Sequence, residues 1–337
     1  MEFDAATPGR EPMQEVWVEV PHRRVWLHVL LFLLTLLSST WVGVRFHDSF
    51  VARSEKPTGA LFFRSPHVVP SHLLDGLWFS LPLLLILAFH EWGHLAAARR
   101  YGIAATYPYF IPAPTLIGTM GAFIRIKSPF RTRQALFDVG IWGPFAGFIL
   151  AVPVLVLGLA MSHRVIGLFP DDSLSFGSPP LILLLNRFLN PKAGEFDLLL
   201  HPVARAAWVG LFATALNLLP AGQLDGGHIL YALSPRWHKI VSRGMALLLA
   251  GPMIPRAAIE VMAWWHPQYS AYWDLMGDRM DAFYWPGWFI WGVFVALFWR
   301  HPPVYDPTPV DSRRRTQALI ALAIFLLCFT LVPFRVF

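Results

Sequence analysis

The chain has 337 residues, of which 55% are hydrophobic and only 14% charged, with a mean hydropathy of +0.49. Soluble domains carry about 25% charged residues, so this composition excludes a disordered, fibrous, nucleic-acid-binding or cytosolic Rossmann-type protein. The excess of 27 Lys and Arg over 21 acids is of the kind that orients the loops of a membrane chain, and the single cysteine, Cys328, permits neither an intramolecular disulfide nor a thiolate metal cluster.

The first residues include Glu2, Asp4, Glu11, Glu15 and Glu19 ahead of His22-Arg23-Arg24, unlike the positive n-region of a signal peptide. Residues 1–24 are therefore predicted to be a cytoplasmic N-terminal segment, and the apolar run after them a retained first span. A bilayer core takes about 20 apolar residues in a helix. Seven stretches approach that: 25–44, 72–98, 138–161, 203–219, 240–263, 283–299 and 316–334. The fifth is interrupted by Pro252, Pro255, Arg256 and Glu260, and the sixth is short and opens near Pro286-Gly287. The expected fold is an all-α polytopic membrane protein with six or seven transmembrane helices, residues 25–335 forming one membrane-embedded domain. Between the second and third spans, residues 118–127 alternate Phe123, Arg125 and Lys127 with Ile124 and Ile126, which predicts a short membrane-associated β segment. With the N-terminus inside, the segments 1–24, 99–137, 220–239 and 300–315 fall on the cytoplasmic side. Sixteen of the 27 basic residues lie in or beside them, as the positive-inside rule requires. Asp138 is predicted to cap the third span, and Glu260 to pair with Arg256 four residues earlier.

The chemistry is concentrated in the second span, which reads LPLLLILAFHEWGHLAAARR. On a helix of 3.6 residues per turn, His90, Glu91 and His94 share an arc of about 100°, so two imidazoles can hold one metal while the carboxylate reaches a water beside it. Ionisable residues at membrane depth are functional candidates by default. Zinc normally takes a third protein ligand, and Asp75, Asp138, Asp225 and Glu260 are the acids at or near apolar runs. Asp225 is preferred because it follows the fourth span in AGQLDGGH, at the same cytoplasmic end as His94. His94 lies five residues before Arg99, about 7 to 8 Å along a helix, which puts the metal one to two turns below the surface. His228 either lines an inlet to it or is a surface residue. A metal transporter would bind through the same three ligands, but it has no need of Glu91 beside the first, and it would carry polar residues along several spans.

HEWGH in one span together with NLLPAGQLDGGH in a later one resembles the site-2 protease family of intramembrane zinc metalloproteases. The likeness runs from about Leu73 to Leu233, and GTMGAFIRIKSP (118–129) and GIWGPFAGF (140–148) are similar to bacterial and plant-plastid members. It implies a catalytic core over about 72–233 and an intramembrane endopeptidase acting on peptide bonds in or near transmembrane segments. One Zn²⁺ would sit on His90, His94 and Asp225, with Glu91 as general acid and base and Asn217 holding the substrate or its oxyanion. We further expect Gly118, Gly121, Ala122, Phe123 and Ile124 to receive the substrate as an added strand. The implied partners are the lipid bilayer and a membrane protein with a transmembrane helix, such as an anti-sigma factor or transcription-factor precursor, and no nucleic acid. The implied setting is a bacterial inner membrane with the active site near the cytoplasmic side. Many bacterial members insert a PDZ domain between the motif spans; neither 99–137 nor 162–202 has room for one, so a PDZ-less type is expected.

Overall fold

The computed structural model describes residues 25–51, 70–165, 174–189, 197–281 and 284–336. The expected cytoplasmic segment 1–24 lies outside the described residues.

Helix α1 (Val25–Val51) is followed by a 3-10 turn (Pro70–Gly76) and α2 (Leu77–Arg100). Arg99 and Arg100 occupy the last turn of α2, where positive charge complements the helix dipole. A hairpin of β1 (Tyr109–Pro112) and β2 (Thr119–Phe123) comes next, paired antiparallel with Tyr109 opposite Phe123 and Phe110 opposite Ala122. Helix α3 (Arg133–Ala160) starts after Thr132, whose extended backbone and hydroxyl, accepting the Ala135 N–H at 3.1 Å, make it the N-cap. Asp138 therefore does not cap this span. It lies in the second turn, already inside the hydrogen-bonded ladder, where no free N–H needs a cap.

Two further ribbons were not expected: β3 (His163–Val165) with β5 (Asp197–Leu199), and β4 (Leu174–Phe176) with β6 (Phe334–Val336). Helix α4 (Pro180–Leu189) lies between them in sequence. Then follow α5 (Pro202–Asn217), α6 (Asp225–Leu233), α7 (Pro235–Ala250), α8 (Met253–Trp265), α9 (Ser270–Asp281), α10 (Gly287–Leu297) and α11 (Ser312–Cys328). The expected β segment is one arm of a hairpin, and residues 124–127 continue beyond the strand, where Ile126 forms an isolated antiparallel bridge with Ala105.

Among the described residues, four helices are long and apolar enough to cross a membrane: Val25–Val51, His72–Arg100, Arg133–Ala160 and Pro235–Trp265. The expected count of six or seven is not reached, because three of the seven apolar stretches form helices of 16, 11 and 17 residues (α5, α10 and α11). Prolines trim two of them: Pro202 and Pro220 bracket α5, and Pro286 precedes α10. Sixteen residues make only about 24 Å of helix.

α5 carries one charged residue, Arg205, is otherwise largely apolar, and is buried over nearly its whole length, as expected for a helix surrounded by others. Around it pack Phe79, Leu83 and Ile86 of α2 and Leu155 and Leu159 of α3, all buried. In contrast, no residue of α8 is buried. The result is a central bundle of α2, α3 and α5 that holds the polar cluster described next.

Candidate metal centre

Three buried polar side chains project from one turn of α2. His90, Glu91 and His94 are 4%, 5% and 7% exposed, and their ligand atoms lie within 4.8 Å of one another. Asp225, the first residue of α6, reaches the same point from 131 residues downstream. Its Oδ2 is 3.3 Å from His90 Nε2 and 3.2 Å from His94 Nε2. Asn217, the last residue of α5, places its side-chain nitrogen 3.1 Å from His90 Nε2. The turn between α5 and α6, through Pro220, is what brings Asn217 and Asp225 together.

The orientation of His94 is set by α3. The Val139 carbonyl accepts a hydrogen bond from His94 Nδ1 at 2.7 Å, so in the neutral ring the proton is on Nδ1 and the lone pair is on Nε2. That lone pair faces a carboxylate oxygen at 3.2 Å, an arrangement that calls for a cation between them. A tetrahedral zinc with bonds of about 2.0 to 2.1 Å separates its ligand atoms by about 3.3 Å, which matches both observed imidazole–carboxylate distances. The donor set and the geometry fit this metal, with Glu91 adjacent. α3 also makes room: a Cβ on Gly143 would lie 2.1 Å from His94 Nε2, and one on Gly147 would lie 3.1 Å from His90 Nδ1.

The hairpin lies beside this cluster. The Arg125 carbonyl accepts from Thr106 N–H at 3.0 Å and the Lys127 N–H donates to the Ala104 carbonyl at 2.8 Å, so these odd-numbered groups close the hairpin. By alternation the main-chain groups of Ile124 turn to the opposite edge, so that the Ile124 N–H faces the Glu91 carboxylate. Gly118 has φ +74° and touches α1 so closely that a Cβ would lie 2.6 Å from Ser39 Cα; its carbonyl accepts from the Ser38 hydroxyl at 2.6 Å. Gly121 and Ala122 follow in β2, whereas the Phe123 ring is exposed and stacks on Tyr109. Ile124 is thus the expected strand residue whose main chain faces the cluster. A cavity of about 1200 Å³ opens along β2, lined by Leu87, Thr119, Gly121, Phe212, Leu216 and Trp291 among others.

The remaining acids considered as ligands are elsewhere. Asp75 lies beside His47, Glu260 pairs with Arg256 as expected, and Asp138 is bound by Arg314. His228 is neither fully buried nor a free surface group, since its Nδ1 lies 2.9 Å from His301 Nε2. Sequence reasoning missed Val139, which acts through a backbone carbonyl, and Arg314, which reads as one of three consecutive arginines. Gly143 and Gly147 carried a signal, the four-residue spacing of small residues that lets membrane helices touch.

The profile of peptidase family M50 matches residues 78–251. The probable zinc metalloprotease EGY1 of Arabidopsis thaliana, a chloroplastic protein, is 30% identical over 336 residues, covering 92% of this chain and 54% of that protein. The probable zinc metalloprotease EGY2 of Oryza sativa subsp. indica, also chloroplastic, is 34% identical over 188 residues, or 53% of this chain and 32% of that protein. The chain thus spans about half the length of EGY1. No solved structure matches. The profile covers slightly more than half of the chain and takes in both motifs, HEWGH and the later LDGGH, whose His90, His94 and Asp225 meet at one point: this multi-pass membrane chain belongs to peptidase family M50.

Proposed function

We propose that the chain is an intramembrane zinc metalloendopeptidase that hydrolyses peptide bonds in or near the transmembrane segments of membrane proteins. The observation that carries this reading is the meeting of His90 Nε2, His94 Nε2 and Asp225 Oδ2 at 3.2 to 3.3 Å beside a buried glutamate. His90, His94 and Asp225 would hold one Zn²⁺, which when bound would supply Lewis-acid polarisation of a carbonyl and make water acidic enough to attack at neutral pH. Glu91 accepts a proton from the attacking water on its carboxylate and returns it to the departing amine nitrogen. Asn217, beside His90, holds the scissile carbonyl oxygen or the oxyanion that grows on it.

A helical substrate keeps its carbonyls bonded internally, and each group unpaired in lipid costs several kcal/mol. The main chain of residues 118–124 pairs with the unwound stretch as an added strand, Ile124 registering it against Glu91, while the apolar part of the substrate helix fills the adjoining cavity. The substrate class is a membrane protein with one such helix, for example an anti-sigma factor or a transcription-factor precursor.

Residues 25–335 act as one membrane domain with its core at 72–233, preceded by a cytoplasmic segment at 1–24. α5, α10 and α11 complete seven crossings with the four long helices; α5 is shielded from lipid on all sides and does not need full bilayer length. The membrane is proposed to be a bacterial cell membrane, with the metal near the basic, cytoplasmic side. The chloroplastic relatives favour a plastid membrane instead, and fractionation of the source cells decides between them.

The test compares Glu91→Gln with Asp225→Ala. Glu91→Gln is expected to keep zinc and lose cleavage, as read by proteomics of membrane-protein fragments released by the wild type alone. Asp225→Ala is expected to lose both. Full zinc in the Asp225 variant, or cleavage by the Glu91 variant, refutes the assignment.

A further inference from the structure

Arg314 lies in the first turn of α11, outside the stretch matched by the family profile and 176 positions after Asp138. Its Nε donates to Asp138 Oδ1 at 2.7 Å, and its Nη2 to Asp138 Oδ2 at 2.7 Å and to the Tyr101 hydroxyl at 3.0 Å. The third nitrogen, Nη1, donates to Asp311 Oδ2 at 2.7 Å, while Asp311 Oδ1 caps α11 by accepting the Arg314 N–H at 2.9 Å. Tyr101, the C-cap of α2, donates its hydroxyl to Asp138 as well. One carboxylate therefore joins the end of α2, the second turn of α3 and the start of α11. The Arg314 and Asp138 side chains are only 16% and 13% exposed, a setting in which a forked, charge-assisted pair is strong and a lone carboxylate is costly. A second contact backs it, the Asp306 N–H donating to the Arg131 carbonyl at 2.8 Å just before α3.

Both anchored helices build the metal centre. Asp138 is the neighbour of Val139, whose carbonyl orients His94, and Tyr101 lies seven residues past His94, about 10 Å along the helix. Elsewhere α2 and α3 meet at glycines: a Cβ on Gly93 would lie 2.2 Å from the Trp142 carbonyl oxygen. Backbone contact of that kind permits close approach, and the buried side chains that meet nearby, Ala97 and Ala98 of α2 with Ala135 and Val139 of α3, are small or short. The Tyr101–Asp138–Arg314 cluster adds a directional, charged lock at this end of the pair.

We propose that Arg314 is a positioning residue for the metal centre: by clamping Tyr101 to Asp138 it sets the register of α3 against α2, and with it the aim of the Val139 carbonyl at His94. The proposal rests on the reading of His90, His94 and Asp225 as zinc ligands. Groups hydrogen-bonded directly to a metal ligand, as the Val139 carbonyl is to His94, typically contribute 10- to 100-fold to metal affinity.

The experiment measures zinc Kd by competition with a chromophoric chelator on the full chain in detergent, the d–d absorption of the cobalt-substituted protein, and Tm. Arg314→Gln and Asp138→Asn are each expected to weaken zinc by at least about 10-fold and to shift the cobalt bands, with the double variant no worse than the weaker single. Arg314→Lys is not expected to restore affinity, because an ammonium cannot make the forked contact. Arg313→Gln and Arg315→Gln, on the exposed neighbours, should match the wild type. Should Arg314→Gln fail to fold, Tyr101→Phe decides, since it deletes one hydroxyl and leaves the ion pair; a measurable loss of zinc affinity with altered cobalt bands is expected there too. Folded variants with a lowered Tm but wild-type zinc Kd and cobalt spectrum would overturn the proposal. A wild-type chain that takes up no zinc would instead overturn the ligand assignment beneath it.

Discussion

Gly143 offers a sharp test of the metal centre because the size of the perturbation can be read from the structure. In Gly143→Ala the new methyl carbon would lie 2.1 Å from His94 Nε2, 2.3 Å from Cε1 and 2.4 Å from Cδ2. Non-bonded heavy atoms settle at about 3.5 Å, so the ring has to retreat by about 1.4 Å. It has nowhere close to go, because Nδ1 is held by the Val139 carbonyl and Nε2 faces Asp225. Metal–ligand distances tolerate only about 0.2 Å, so His94 is lost as a ligand, and zinc affinity should fall by more than about 100-fold, beyond the usual effect of an outer partner. Overpacking of this kind costs about 1 to 3 kcal/mol of stability, little enough for the fold to survive. Gly147→Ala is the graded control: its methyl carbon would lie 3.1 Å from His90 Nδ1, and a shift of about 0.4 Å relieves it. The assay is zinc competition and fragment release on detergent-purified variants of matched folding. Tight zinc binding in Gly143→Ala, or greater damage from Gly147→Ala, would refute the geometric argument.

Proline scanning tests the strand. Ile124→Pro removes the N–H that faces Glu91 and should abolish cleavage with zinc occupancy intact, whereas undiminished cleavage in well-expressed Ile124→Pro and Ala122→Pro would sink strand addition as the mode of substrate capture. Reporter fusions should place the N-terminus and the 99–137 loop on one side of the membrane and a C-terminal fusion after Phe337 on the other; both ends on one side would mean an even number of crossings. Burial pushes the His301 imidazole down to about 4, against about 6.5 in an unfolded chain. The folded protein keeps this ring neutral while the unfolded chain binds a proton, so its stabilising contribution is complete above about pH 6.5 and is lost as pH falls toward 4. His301→Gln should flatten the fall of Tm across that window, and an unchanged slope would refute the assignment.

The chain's membrane class, its motif helix and two of its three proposed ligands were legible in the sequence because each depends on local regularities. An apolar run of sufficient length must be buried or spanned, and residues four apart on a helix share a face whatever surrounds it. Asp225 was legible for a related reason, since a proline followed by glycines and an acid at the end of a span marks where the backbone turns. The helix lengths were less so: Pro202, Pro220 and Pro286 shorten α5 and α10 below bilayer length, and hydropathy alone does not register where a proline ends a helix. The cap of α3 was misplaced for the same reason, as Thr132 and Asp138 are both plausible caps until the first helical residue is known.

What only the tertiary structure decided is which groups meet across the bundle. The proton position on His94 depends on a carbonyl of Val139, and every residue has a carbonyl, so no letter in the sequence distinguishes it. Arg314 sits among three consecutive arginines and is singled out only by the folding of α11 against α3, which brings it to Asp138. Ile124 reaches Glu91 through its main-chain N–H, at a position set by the register of the hairpin. Sequence spacing determines contacts within a helix because the backbone repeat is fixed; contacts between helices depend on packing of the whole chain, and backbone donors and acceptors carry no residue identity by which they could be read in advance.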